Sequence, residues 1–396
     1  MQEEHKMAKL IGEWTIDWPC FASRGWPDNL VDLVSSPASA QLGSGTVDDL
    51  SATVDEDRRA IEPYLRIIPF GPNSTAVNTT IEDGDVLSFV SPRLEGGGAV
   101  EVLKQRGWHA EVCYRNDDGI AREKAPWNAT PRDEPCNNGQ EDWVIHIFRP
   151  RFPGVSPDRL ISLKQQVRLW KDIFDRYEFP SDGDQCTGSH KYLDPADFST
   201  VTEIEGIARK LVSHPRGTMP DVPKVTCVQW AYQVLCLSLC VPLNKMNLER
   251  LGVWDTFKTN WPDMADKTPP DLNGTGKLPF IPYSPAQVLQ AYLDTYAPGK
   301  SLIELLKNIV SRTMLEGMLM QQQLPGLPEY IPQYFDNILA TGDITQPLVV
   351  PGRPPYRFVM PITFFCDARA APRKEPDDPW LQYVGTMVHE SMVKHL

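Results

Sequence analysis

"VPKVTCVQWAYQVLCLSLCVPL", residues Val222–Leu243, decides how the chain is read. It holds three cysteines and no charge beyond Lys224. The 19 residues Val225–Leu243 approach the ~20 apolar residues that a membrane-spanning helix needs. Thr226, Gln229, Gln233, Ser238 and Pro242 interrupt them, so a buried core helix is expected instead. An extended lead-in over Val222–Val225, with Thr226 as N-cap, starts that helix at Cys227. A thiolate nucleophile is favoured at a helix N-terminus. Ala231, Val234 and Ser238 share the face of Cys227 and are small or apolar. Cys236 and Cys240 fall mid-helix and at its end, and read as core cysteines.

The rest of the chain suits a large core. Its 396 residues make two or three domains, or one large elaborated one. The content, 41 % hydrophobic and 23 % charged, is that of a globular protein. The 37 prolines cluster at 262–288, 325–332 and 347–361, where irregular connections are expected. A net charge of −13 argues against nucleic acid as a partner, because phosphate binding needs a basic face. The N-terminus shows no secretory signal pattern, so the default compartment is the cytoplasm, with a non-standard export route as the alternative. Four N-x-S/T sequons, at Asn73, Asn78, Asn128 and Asn273, are expected to stay unused on that reading. The eight cysteines form no CxxC pair and are expected to be mostly reduced. No metal or organic cofactor is implied, and oligomeric state is not read.

From Thr80 the texture is strand-like. "GDVLSFV" (Gly84–Val90) is a turn entering a strand, and His109–Arg115 is a strand ending in a turn at Asn116–Gly119. Ile120–Trp127 returns, and Asp142–Pro150 is a further strand. Such a run suggests an antiparallel meander or a small, partly closed barrel. Helices are expected at Ser156–Tyr177, with Pro157 at the first helical position, at Ser199–Ser213 and at Ser301–Gln323. A helix near Asp55–Leu65, a strand over Tyr356–Ala368 and a final helix complete the reading.

Two motifs fail. "GTGK" (Gly274–Lys277) lacks phosphate-loop spacing. "HESMVKH" sets His389 and His395 six apart, off a common helix face, and both read as surface residues. A thiol nucleophile also needs a base. Among the histidines, His109 opens a strand, His146 lines one face of a sheet, and His190 and His214 lie in loop-like stretches. The alternative for each is a structural side chain.

"GDVLSFV…GWHAEVCYRNDDG" resembles the GD-turn and histidine-strand signature of NlpC-like papain-fold enzymes. "TCVQWAYQVL" resembles the start of their nucleophile helix, although Val228 and Gln229 replace the usual small polar residue and acid. "WVIHIFRP" resembles the strand ending in Arg-Pro, and "PYSPAQVLQAY" the closing segment. His109 precedes Cys227, which is the order of the circularly permuted branch with the YiiX-type hydrolases and the lecithin:retinol acyltransferase group.

The resemblance implies an α+β, permuted papain-like domain whose antiparallel sheet or small barrel packs on the nucleophile helix. It covers residues 80–292, leaving an N-terminal extension, 1–79, and a C-terminal helical region, 293–396, that ends in a strand and a helix. The implied catalytic residues are Cys227, His109 and Glu123, the last with Asp117 and Asp118 as rivals and a solvated charge as its alternative. The implied chemistry is acyl transfer on amide or peptide substrates. Lipid acyl hydrolysis or transfer, and a catalytically inactive binding protein, are the alternatives.

Overall fold

The computed structural model describes residues 14–23, 67–90, 109–117, 120–124, 134–136, 143–151, 155–175, 193–195, 200–215, 227–269, 272–278, 283–296, 300–320, 326–352, 355–358 and 380–395. The helix expected at 55–65, Thr226, His190 and most of the 356–368 strand lie outside them.

Strand β1 (Trp14–Ile16) and helix α1 (Trp18–Ser23) precede β2 (Ile67–Phe70) and α2 (Ala76–Thr80). Then come β3 (Val86–Val90), β4 (His109–Arg115), β5 (Ala121–Lys124), the two-residue β6 (Glu134–Pro135) and β7 (Val144–Pro150). Helix α3 (Pro157–Asp175), β8 (Leu193–Pro195), α4 (Val201–Ser213) and α5 (Cys227–Cys240) follow. Short helices α6 (Lys245–Arg250), α7 (Trp254–Asn260) and α8 (Pro262–Ala265) lead to α9 (Pro285–Tyr296). The chain ends through α10 (Leu302–Lys307), α11 (Ile309–Met320), α12 (Leu327–Thr341), β9 (Tyr356–Phe358), β10 (Leu381–His389) and β11 (Val393–His395).

The protein is α+β. Seven strands form one mixed sheet in the order β2-β10-β7-β3-β4-β5-β6. Only the β10–β2 pair is parallel among these ladders. The expected meander is present as β3-β4-β5, and β7 returns on the other side of β3. Because β10 sits between β2 and β7, the last residues of the chain are built into the same sheet as the strands after Thr80.

Alternation along the strands gives each face its own core. Val86, Ala110, Val112 and Phe148 pack with α3, α4 and α5 in one apolar cluster. Leu87, Phe89, Cys113, Ile145 and Ile147 face the other way, packing with Phe70 and Val77. Burying each large side chain contributes roughly 1.5–3 kcal/mol.

The helical layer starts from ordinary signals. Pro157 opens α3, with the Arg159 amide donating to the Ser156 hydroxyl at 3.4 Å. Its stripe of Leu163, Val167, Trp170 and Ile173 is buried. Thr200 and Glu203 form a capping box on α4, at 3.2 and 2.8 Å.

The stretch quoted first is a core helix. Its 14 residues span about 21 Å, short of the ~30 Å hydrocarbon layer. No helix among the described residues is long and apolar enough to cross a membrane. Every residue from Ala231 to Cys240 is buried, as expected for a helix apolar on all sides. Its C-terminal carbonyls are satisfied from outside. The Trp170 indole donates to the Val241 carbonyl at 3.1 Å, and the Thr275 amide to that of Leu239 at 2.7 Å.

The "GTGK" stretch therefore has a structural use. A Cβ on Gly274 would lie 2.1 Å from the Cys240 carbonyl oxygen, whereas one on Gly276 (φ +66°) would meet open space. Gly274→Ala is expected to cost about 3 kcal/mol by overpacking, and Gly276→Ala only about 1 kcal/mol of backbone strain. Paired urea unfolding curves check the ranking.

Three expectations need correction. The single helix at 301–323 is two, because Asn308 is extended and its Oδ1 caps α11 by accepting from the Val310 and Ser311 amides, both at 3.1 Å. The final helix is strand β10, followed by the short 3-10 turn Glu390–Met392 and β11. Both neighbours of β10 are strands and its residues from Gly385 to His389 are all buried, so the period-2 signal of a half-exposed strand is missing. His389 is buried rather than on the surface, packed edge-on against Phe70 with ring centroids 5.3 Å apart.

Candidate functional site

Cys227 is the first residue of α5, and α5 packs against β4. The thiol is 4 % exposed and belongs to the helix-side cluster. His109 is the first residue of β4, and Glu123 lies on β5. Their backbones are placed by the ladders: His109 pairs with Phe89, and Glu123 with Cys113. Phe89 and Cys113 both belong to the cluster on the sheet face away from α5. The side chains of His109 and Glu123 lie outside the described residues, as does Asp118. Asp117 is exposed and held by Arg168 of α3 at 2.8 Å, which keeps its carboxyl below the usual range. It is tied to the helical layer.

Two further histidines, His146 and His214, have structural settings. His146 is buried on β7, its Nδ1 2.9 Å from the Thr386 hydroxyl, which also bonds the Tyr383 hydroxyl. It pairs with Ser88 on β3, and so lies on the α5 side of the sheet with Val86 and Phe148. His214 caps the C-terminus of α4, its amide donating to Lys210.

Cys236 and Cys240 are buried within α5, as the helical position implied. Burial pushes the Cys240 thiol up to about 11, and its Sγ donates to the Lys277 carbonyl at 3.3 Å. It therefore stays a protonated thiol at neutral pH. Alkylation of the native protein is expected to spare Cys240 near pH 7 and to reach it only as the pH approaches about 11. Peptide mapping at the two pH values measures this.

The GD turn anchors a charge cluster around a buried carboxylate, a pairing that sequence reasoning missed. Gly84 has φ +83°, and its neighbour Asp85 is fully buried. Arg149, the arginine of "FRP", clamps Asp85 through Nε–Oδ1 at 2.9 Å and Nη2–Oδ2 at 2.8 Å. It also donates to the Thr80 carbonyl at 2.7 Å and meets Glu82 at 2.8 Å, while Lys164 of α3 meets Glu82 at 3.0 Å. Burial works against the Arg149 charge, but the hydrogen bonds and carboxylates around it raise its hold on the proton. Burial likewise pushes the Asp85 carboxyl upward, against the pull of Arg149. The cluster ties the mouth of β3 to the end of β7 and to α3. The available signal was an acid just after a turn glycine and an arginine just before a strand-ending proline.

A cavity of about 560 Å³ lies at β2 and α2, with Trp14 and Glu390 in its wall, and Cys227 does not line it. Among the described residues no group of three or more metal-ligating side chains is assembled. No family model, no curated protein and no solved structure matches the chain. The functional reading rests on the residues themselves.

Proposed function

We propose that the protein is a thiol-dependent acyl-transfer enzyme on a permuted papain-like (NlpC-like) fold, acting first on amide or peptide bonds. The observation that carries this is the packing of α5, the helix that bears Cys227, against β4, the strand that bears His109. A helix N-terminus favours the thiolate and leaves backbone N–H groups free to meet an oxyanion.

In this reading His109 takes the Cys227 proton and the sulfur attacks the substrate carbonyl. The oxyanion is met by the Cys227 backbone N–H. Collapse forms a thioester and expels the amine, which takes the proton from the His109 imidazolium. Water, deprotonated by His109, then attacks the thioester and frees the acid and the thiol. Glu123 orients His109. Peptide, amide or lipid acyl groups are the substrates this chemistry admits.

A second reading is favoured by one observation, the deep burial of Cys227. The chain is then a catalytically inactive binding protein of the same architecture.

The experiment offers purified protein a peptide amide library and a cell lipid extract, with Cys227→Ser alongside. Cys227-dependent release of amine supports the amidase. Cys227-dependent release of free fatty acid moves the lipid substrate into first place. No Cys227-dependent product from either source leaves the binding reading.

A further inference from the structure

The structure holds two buried thiols side by side. Cys113 Sγ and Cys136 Sγ are 3.8 Å apart, in the cluster on the sheet face opposite α5, and neither is in a disulfide. We propose that Cys113 and Cys136 are a redox pair that closes to an intramolecular disulfide and staples the β4–β5–β6 end of the sheet. This assignment stands apart from the catalytic reading and does not use Cys227.

The surroundings favour closure. The Cys113 backbone is pinned on both sides of its peptide plane: its carbonyl accepts from Gly84 at 2.9 Å and its amide donates to Asp85 at 2.7 Å. Cys136 follows β6, the outermost strand of the sheet among the described residues, paired with β5 at Arg122↔Pro135 and Glu123↔Glu134. One partner is thus fixed and the other sits beside the outermost strand of the described sheet. Bringing the sulfurs from 3.8 Å to bonding distance, about 2.05 Å, asks for side-chain rotation and a small shift of that edge. Local opening of β6 also gives an oxidant its access to thiols that are 0 % and 1 % exposed.

The oxidant is a low-molecular-weight disulfide such as glutathione disulfide. One cysteine thiolate attacks it, forming a mixed disulfide and releasing one glutathione thiolate. The second cysteine thiolate attacks the mixed disulfide at the protein sulfur and releases the second. Two electrons pass from the pair to the glutathione disulfide, and two cysteine protons end on two glutathiones. The bond formed would link β4 to the far side of β5, the strand that carries Glu123.

The test uses the full-length wild-type chain. Folded protein is incubated with glutathione disulfide, remaining thiols are trapped with N-ethylmaleimide under denaturing conditions, and the digest is read by mass spectrometry. The expected result is one Cys113–Cys136 linked peptide, two hydrogens lighter than the sum of its thiol parts and cleaved by dithiothreitol. The oxidised protein should melt several degrees higher than the reduced one, because the cross-link restricts the unfolded chain. Recovery of both cysteines as maleimide adducts, as separate glutathione adducts, or bonded to other cysteines overturns the assignment. So does a linked peptide with no rise in melting temperature, since the staple then holds nothing.

Discussion

Arg149→Ala is expected to destabilise the protein by about 3–5 kcal/mol, a large share of the ~5–15 kcal/mol that holds a typical domain together. The loss comes mainly from what is left behind. Asp85 has no exposed side-chain surface, and both of its carboxylate oxygens are bonded to the Arg149 guanidinium. Without that partner a charge is stranded in a dry site, or the carboxyl must protonate. The Thr80 carbonyl also loses the Arg149 donor. Arg149→Lys should recover only part, because an ammonium cannot reproduce the paired geometry. The double change Arg149→Met, Asp85→Leu should be milder than Arg149→Ala alone, since it removes both charges together. Urea unfolding midpoints for the three variants test this. A loss under about 1 kcal/mol for Arg149→Ala would mean that water reaches Asp85.

The second large effect concerns turnover. Once a Cys227-dependent substrate is in hand, Cys227→Ala and His109→Ala should each lower kcat by roughly a thousandfold or more. The double variant should be no slower than the worse single one, because nucleophile and base act as one unit. Glu123→Gln should cost less than either, as expected of a residue that only orients the imidazole. If His109→Ala retains near-normal turnover while Cys227→Ala does not, the base is another histidine. His146, on the α5 side of the sheet, is then the next to replace.

Elements with strong local signals were legible. The α3 start follows from Pro157, α4 was read over Ser199–Ser213 from its helical texture, and β3 and β4 from short apolar runs bounded by turns. What was not legible depends on partners distant in the chain. Asp85 and Arg149 are 64 positions apart, and neither announces the other. Strand β10 was hidden because burial between β2 and β7 removes the polar alternation that marks a half-exposed strand. Asn308 reads as one polar residue in a helical run until its side chain is seen capping α11.

For the site, a helix bearing Cys227 and a strand bearing His109 were both readable, and the structure has Cys227 on α5 and His109 on β4. Strand register was not. A shift of one residue turns every side chain to the opposite face, so the partners of His109 and Glu123 had to come from the ladders. The proximity of Cys113 and Cys136 was equally hidden, because 23 positions and a whole strand separate them.

The account turns on whether the sulfur at the head of α5 behaves as an activated thiolate. Native protein is treated briefly with iodoacetamide at about pH 6, quenched and mapped by mass spectrometry. The prediction is labelling of Cys227 well ahead of Cys236 and Cys240, reduced to their level by His109→Ala. Labelling of Cys227 no faster than its helix neighbours, or unchanged by His109→Ala, would contradict it.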